Sequence, residues 1–97
     1  RVEEAIAQLN KAVNLMPNNI RVYYNLALLH DKKQEYKKAE KIIISGLKLE
    51  STNESLLYVL AYIYSKSNQK EKAKNIAKRL IELYPNKQQY QSFLYQL

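Results

Sequence analysis

Residues 20–53 read IRVYYNLALLHDKKQEYKKAEKIIISGLKLESTN, and the following 34 residues, 54–87, repeat their order of apolar and small side chains. Chance matches would be scattered, whereas these matches share both residue size and helical spacing. A fixed period of this length is typical of repeat proteins, whose units bury their apolar faces only by stacking on their neighbours. The residues that recur at this interval are Ala5, Ala39 and Ala73, Leu15, Leu49 and Leu83, and Leu26, Leu60 and Leu94.

Each period has the pattern of two helices. Apolar residues at i, i+3, i+4 and i+7 predict helices over 20–33, 36–49, 54–66 and 70–84. A single Gly among 97 residues argues against a turn-rich all-β fold. The sequence therefore predicts an all-α domain built from helix pairs.

Capping and turn residues support these helices. Asn19 and Asn53 precede the first helix of each pair and can accept hydrogen bonds from its unpaired N–H groups. Ser51 and Glu54 have the spacing of an alternative capping box. Within the turns that join the helices of a pair, only Asn68 is a residue that readily adopts the left-handed conformation.

The repeat resembles the tetratricopeptide repeat (TPR) over essentially the whole chain. The signature of that family combines large apolar or aromatic residues with small ones at fixed places in a 34-residue unit. In 20–53 the signature positions fall on Tyr23, Leu26, Ala27, His30, Tyr36, Ala39, Ile43, Gly46 and Ser51. In 54–87 they fall on Leu57, Leu60, Ala61, Tyr64, Lys70, Ala73, Ala77, Leu80 and Pro85.

The resemblance implies a right-handed α-solenoid of antiparallel helix pairs. The chain begins at Arg1 without an initiating Met, and we expect a single TPR domain fragment whose true N-terminus is not included. Its predicted parts are the second half of a repeat (1–19), two full repeats (20–53 and 54–87) and a C-terminal capping helix (88–97).

One departure from the repeat is informative. Leu80 stands where Gly46 stands one period earlier, and Ala77 stands where Ile43 does. Positions i and i+3 share a helix face. We interpret the change as an exchange of a large and a small residue that keeps the volume at this contact nearly constant.

The composition excludes most catalytic chemistry. No Cys and one His leave no thiolate site and no imidazole cluster, and one Gly argues against a phosphate-binding loop. His30 falls on a signature position that the family usually fills with Tyr, so the resemblance implies a packing role for it. The sequence predicts no enzyme activity, no catalytic residue, no metal and no cofactor. No apolar run is long enough to span a membrane, so we expect a soluble segment.

The resemblance also implies where a partner would bind. In this family the first helices line a concave groove, in which ligands lie in extended or helical form. Tyr24, Tyr58 and Tyr62 are not signature positions, and tyrosines are good interface anchors. We therefore predict a protein-interaction or scaffold module that binds a peptide segment of a partner. The competing interpretation is that the tyrosines only pack against neighbouring helices. The predicted groove residues are Arg21, Tyr24, Asn25, Leu28, Asp31, Ser55, Tyr58 and Tyr62, with Val59, Ser65, Gln89, Ser92 and Gln96 at further groove positions.

A narrower hypothesis, binding of chaperone C-terminal tails, fails on the residues. TPR domains that hold such a carboxylate use Asn on one first helix and Lys and Arg on the next. Asn25 matches the first requirement, but Ser55 and Val59 stand where Lys and Arg are needed. We therefore reject chaperone-tail binding.

Two alternative functions have weaker support than peptide binding. The first rests on the net charge of +7. Basic side chains on the second helices, which the resemblance places on the convex side, could bind RNA or DNA. They alternate with Glu40, Glu71 and Glu82, so we favour a solvated surface over nucleic-acid binding. The apolar face of residues 1–16 could instead support self-association into a homo-oligomer. The basic residues are Lys37, Lys38, Lys41, Lys48, Lys70, Lys72, Lys74, Lys78 and Arg79.

Overall fold

The computed structural model describes all 97 residues and contains six α-helices and no strands, which confirms the predicted all-α class. The chain divides into two compact units, residues 1–51 and 52–97. The first unit contains α1 (Val2–Leu15), α2 (Ile20–Lys32) and α3 (Tyr36–Leu49). The second contains α4 (Glu54–Lys66), α5 (Lys70–Leu83) and α6 (Gln88–Gln96). None of these helices combines the length and the apolar composition that crossing a membrane requires.

The N-caps of α2 and α4 are the two predicted asparagines. The Asn19 side chain accepts a hydrogen bond from the backbone N–H of Arg21 at 3.0 Å, and Asn53 accepts one from Leu56 at 3.0 Å. Because Asn53 is the N-cap residue of α4, the alternative capping box that would begin at Ser51 is wrong. These bonds satisfy N–H groups that the helix itself leaves unpaired.

The turns inside the two helix pairs each have one residue in the left-handed conformation, at equivalent positions of the repeat. Asn68 has a φ of 61°, as its side chain predicts, but Gln34 has a φ of 61° as well. The N–H of Glu35 donates to the carbonyl of His30 at 2.9 Å, which closes a Schellman motif after α2. The geometry of the turn therefore decides the backbone at Gln34, against the preference of its side chain.

Replacing Gln34 by Gly is expected to stabilise the protein by about 0.5–1 kcal/mol. A residue with a Cβ is strained in the left-handed conformation that Gly adopts freely, and relief of this strain exceeds the added entropy of the unfolded chain. Urea unfolding monitored by circular dichroism measures the change. Asn68→Gly is the matched control, with a smaller gain because Asn tolerates this conformation. A loss of stability for Gln34→Gly would contradict this account.

Small residues are buried where the helices pack against each other. In the first unit α2 packs on α1 and on α3, and Ala27 and Ala39 are fully buried. In the second unit α5 packs on α4 and on α6, and Ala61 and Ala73 are fully buried. A larger side chain at any of these positions would force the helices apart.

The exchanged pair of residues is also buried. Ile43 and Gly46 are buried in the first unit, and Ala77 and Leu80 are buried in the second. Ile43, Ala77 and Leu80 have no exposed surface at all. Each unit therefore places one large and one small residue on this face of its second helix, in opposite order.

In each unit a tyrosine hydroxyl donates a hydrogen bond to a backbone carbonyl in the loop before a first helix. The Tyr23 hydroxyl donates to the carbonyl of Pro17 at 2.6 Å in the first unit. In the second unit the Tyr84 hydroxyl donates to the carbonyl of Thr52. Both bonds fix the backbone that leads into a first helix.

Candidate functional site

The predicted groove residues of the first unit all lie on α2. Arg21, Asn25 and Leu28 are exposed, and Tyr24 and Asp31 are half-buried. Leu28 is 38% exposed, whereas Leu26 on the same helix is 2% exposed. The side of α2 that carries these residues therefore offers an apolar contact beside polar and charged groups.

The predicted groove residues of the second unit lie on α4. Ser55, Tyr58 and Tyr62 are exposed, and the exposed fractions of the two tyrosines are 38% and 42%. Their rings stack, with centroids 6.4 Å apart and planes at 16° to each other. Because the two residues are one helical turn apart, the stacked pair follows directly from the helix.

Two aromatic rings of α6 complete this surface. The Tyr58 ring lies 5.7 Å from the ring of Tyr90 and 5.6 Å from that of Phe93, the second contact being edge-on. Tyr90 is 3% exposed and Phe93 is half-buried. We call Tyr58, Tyr62, Tyr90 and Phe93 the aromatic cluster. Tyr58 thus contacts two rings of the neighbouring helix and the stacked ring of Tyr62, and 38% of its surface remains exposed.

Sequence reasoning missed the two α6 members of the aromatic cluster. On α6 it assigned three residues to the groove, and all three are exposed: Gln89, Ser92 and Gln96. The signal for Tyr90 was present in the period, since it follows the buried Val22 and Leu56 at the repeat interval.

Phe93 follows Asn25 and Val59 in the same way. Val59 was mapped to the groove, but it is buried, with 7% of its surface exposed. This repeat position therefore faces solvent at Asn25 and packs inward at Val59, and the residue type decides which.

A hydrogen-bonded carboxylate holds the start of α6 against the start of α4. The Tyr90 hydroxyl donates to Glu54 Oε2, and Lys87 Nζ lies 3.0 Å from the same oxygen. The hydrogen bonds from Tyr90 and Lys87 lower the pKa of the Glu54 carboxyl. Two causes raise the pKa of the Tyr90 hydroxyl: the larger is its burial, and the smaller is its hydrogen bond to Glu54. The carboxylate therefore stays ionised and the hydroxyl stays protonated across the neutral range.

The single histidine belongs to a second polar group, at the turn after α2. His30 is 8% exposed, and its Nδ1 lies 2.8 Å from Glu35 Oε1. The hydrogen bond from His30 lowers the pKa of Glu35, to which Lys33 and Lys38 also contribute. Lys33 pairs in addition with Glu3 of α1. These contacts hold the turn and α1 in place, and no three His, Cys, Asp or Glu side chains converge as metal ligands would.

Most of the basic side chains of the second helices point into solvent. On α3, Lys38 pairs with Glu35 at 3.7 Å, and on α5 Lys74 pairs with Glu71 at 3.8 Å. Surface pairs of this kind contribute little free energy. The exposed basic residues are Lys37, Lys38, Lys41, Lys48, Lys70, Lys72, Lys78 and Arg79.

The end of α1 has the most exposed large apolar side chain of the first unit. Ile6 is the only buried residue of α1, and Leu15, its last residue, is 81% exposed. Met16, which follows it, is 47% exposed. Self-association through this face stays a prediction.

Family models match the chain over residues 1–87. Residues 1–34 match a family model described as TPR repeat. Residues 20–53 and 54–87 each match a model described as Tetratricopeptide repeat. No curated protein sequence matches the chain closely enough to count as a relative.

Solved structures of TPR proteins share the fold at low sequence identity. A thermophilic TPR protein in Thermus thermophilus is 20% identical, with a TM-score of 0.89 over 98% of this chain and 48% of that one. The chain thus spans about half the length of that protein. The first TPR of Spaghetti (RPAP3), bound to the HSP90 peptide SRMEEVD, is 21% identical, with a TM-score of 0.89 over 98% of this chain and 75% of that one. The second TPR domain of human RPAP3, in complex with the HSP70 peptide SGPTIEEVD, is 20% identical, with a TM-score of 0.87 over 98% of this chain and 79% of that one.

Proposed function

Because this chain belongs to the tetratricopeptide repeat family, we propose that it is a protein-interaction module that binds a peptide segment of a partner protein. The aromatic cluster is the observation that carries the proposal. Its two tyrosines on α4 expose 38% and 42% of their surface although α6 supports Tyr58 from one side. Similar structures of this family that hold peptides support the same class of function.

The cluster has the properties of an interface anchor. Tyr58 is held by the stacked ring of Tyr62 and by the edge of Phe93, so little side-chain entropy remains to be lost on binding. A tyrosine ring offers an apolar face and a hydroxyl, and such residues dominate the binding energy of many interfaces. A ligand that covers both tyrosines would gain apolar contact with a surface that is already ordered.

The α2 surface of the first unit is the second part of the proposal. Its residues offer an exposed apolar side chain at Leu28, a guanidinium at Arg21 and a side-chain amide at Asn25. Tyr24 and Asp31 lie on the same helix and are half-buried. These groups are suited to bind a peptide by hydrogen bonds and one apolar contact, and the α2 surface is proposed independently of the aromatic cluster.

The double variant Tyr58→Ala, Tyr62→Ala is expected to weaken peptide binding by at least about 30-fold, since it removes two anchor residues. The ligand is a peptide selected from a random library on the 97-residue protein, and its affinity is measured by calorimetry. Tyr95→Ala is the matched control, because Tyr95 also lies on this unit but is 93% exposed and outside the cluster. An unchanged affinity in the double variant, with helicity retained, would refute the proposal.

The HSP90 peptide SRMEEVD tests the specificity of the surface. Its acidic C-terminal end calls for Lys and Arg side chains, and Ser55 and Val59 stand at the corresponding positions. Val59 is buried, so even its place on α4 is closed to a ligand. We expect this peptide not to compete with the selected one.

The basic side chains of α5 support a second candidate function, binding of a polyanion such as single-stranded RNA. Lys70, Lys72, Lys78 and Arg79 are exposed along this one helix. If they contacted phosphates, affinity for RNA would fall about 100-fold between about 50 and 200 mM salt. Lys72→Glu and Lys78→Glu would weaken it further. A flat salt response measured by fluorescence anisotropy would remove this candidate.

A further inference from the structure

The α1 helix leaves uncovered a face that α3 and α5 bury. In those two helices the residues of this face are all buried: Ala39, Ile43 and Gly46 in α3, and Ala73, Ala77 and Leu80 in α5. The equivalent residues of α1, which we call its open face, are half-exposed: Ala5, Leu9 and Ala12. The first unit thus presents to solvent an apolar face that belongs to the core elsewhere in the repeat.

Charged residues border the open face on one side only. Two triplets, seven residues apart, have the same order of charged, small and aliphatic side chains: Glu4-Ala5-Ile6 and Lys11-Ala12-Val13. Residues seven apart lie on the same side of a helix, so both triplets face the same way. Because Ile6 is 8% exposed and Val13 is half-buried, the aliphatic residues turn towards α2, on which α1 packs. Glu4 and Lys11, both exposed, therefore border the open face on the side away from α2.

A second copy of α1 complements this face in size and in charge. When two α1 helices run in opposite directions across a two-fold axis, Ala5 of one copy lies opposite Ala12 of the other, and Glu4 lies beside Lys11. The alanines allow the two helix axes to approach closely, and charges of opposite sign meet along the border. Two parallel α1 helices would instead bring like charges together, Glu4 beside Glu4 and Lys11 beside Lys11.

The α6 helix of a second copy fits the open face less well. Such a head-to-tail contact would complete a repeat between copies, since α6 is a first helix of the repeat and α1 is a second one. Tyr95 of α6, however, stands at the position of Ala27 and Ala61, both of which have no exposed surface. A tyrosine would overpack the contact that these alanines make with a second helix.

We infer that α1 pairs with α1 of a second copy of this chain, antiparallel across a two-fold axis, through Ala5 and Ala12 and the charges of Glu4 and Lys11. The contact joins one helix of 14 residues from each copy, so it is smaller than a standard interface and its affinity is low. Each dimer contains two aromatic clusters. The pairing uses none of the groove residues of α2 or α4, so it goes beyond the proposed function and does not depend on it.

Sedimentation equilibrium of the 97-residue protein between about 10 µM and about 1 mM measures this association, in about 150 mM salt to screen the net charge of +7. The mean mass is expected to rise with concentration from one copy to two and no further. Glu4→Lys and Lys11→Glu should each weaken the dimer at least about 5-fold, because each turns two attractive pairs into repulsive ones. Both changes together exchange the charges across the interface and should restore the affinity to within about 3-fold.

Two exposed residues of other helices supply the matched controls. Lys41→Glu on α3 changes the net charge as Lys11→Glu does, and Glu82→Lys on α5 changes it as Glu4→Lys does. Neither control should alter the association by more than about 2-fold. Circular dichroism checks that α1 stays helical, since an acidic residue stabilises the first turn of a helix. The double variant also lacks Glu4, so a recovered affinity cannot come from a more stable α1.

Three results would contradict the antiparallel pair. A protein that stays monomeric throughout this range would overturn the inference, as would a double variant that associates no more tightly than the single ones. Growth of the mean mass beyond two copies would also overturn it, because only a head-to-tail contact such as that with α6 continues past a dimer. None of these results bears on the proposed function, which is tested by the peptide affinity of variants at Tyr58 and Tyr62.

Discussion

Leu80→Ala is expected to lower the free energy of unfolding by about 2–5 kcal/mol and the melting temperature by about 10 °C or more. The Leu80 side chain on α5 has no exposed surface, and Ala77, one turn earlier on the same face, is equally buried. Removing the isobutyl group leaves a cavity that its small neighbour cannot fill. Thermal and urea unfolding monitored by circular dichroism measure the loss.

A compensating variant tests whether volume is the cause. Ala77→Ile together with Leu80→Ala places the large residue at the position that Ile43 occupies in the first unit, where Gly46 is the small one. This double variant should recover a substantial part of the stability lost by Leu80→Ala alone. If it is less stable than the single variant, the order of the two residues matters beyond their volume, and the interpretation as a volume-conserving exchange is wrong.

Tyr90→Ala is expected to release α6 from the second unit. Tyr90 is 3% exposed, contacts the ring of Tyr58 and bonds to Glu54, and deletion of a buried aromatic side chain costs about 3–5 kcal/mol. A helix of nine residues is too short to persist in water without such packing. The helical circular dichroism signal should fall by about the contribution of α6, and amides of Gln88–Gln96 should lose protection from hydrogen exchange.

Two further variants locate the source of that effect. Tyr90→Phe keeps the ring and removes the bond to Glu54, so it should destabilise α6 by a smaller amount, about 1–3 kcal/mol. Tyr95→Ala, at a position 93% exposed on the same helix, should have almost no effect. Equal hydrogen-exchange protection in Tyr90→Ala and the unsubstituted protein would show that other contacts hold α6.

The helices were predictable because their signals are local. The predicted end of α2 was residue 33 and the observed one is Lys32, and α5 ends at Leu83 where residue 84 was expected. Asn19 and Asn53 cap the helices that they precede, since the capping bond depends only on the next few residues. The spacing of apolar residues likewise identified the buried face of each helix.

Features that depend on tertiary packing were harder to predict. The left-handed backbone at Gln34 follows from the Schellman motif of the helix pair, and a glutamine carries no signal for it. Val59 packs inward and Phe93 joins Tyr58, although their repeat position was assigned to a groove. Periodicity shows which positions are equivalent, but the size of each side chain decides what it contacts. For the candidate site, the sequence therefore supplied the α4 tyrosines but not the rings that support them.

The long-range contacts within each unit also determine how quickly this chain can fold. Lys33 reaches Glu3 across 30 positions, Tyr84 reaches Thr52 across 32, and Tyr90 reaches Glu54 across 36. Each of these contacts therefore closes a loop of about one repeat. Rates of folding rise as contacting residues lie closer in sequence, and helical proteins of low contact order fold in microseconds to milliseconds. We therefore expect these contacts to form without any loop closure much longer than one repeat.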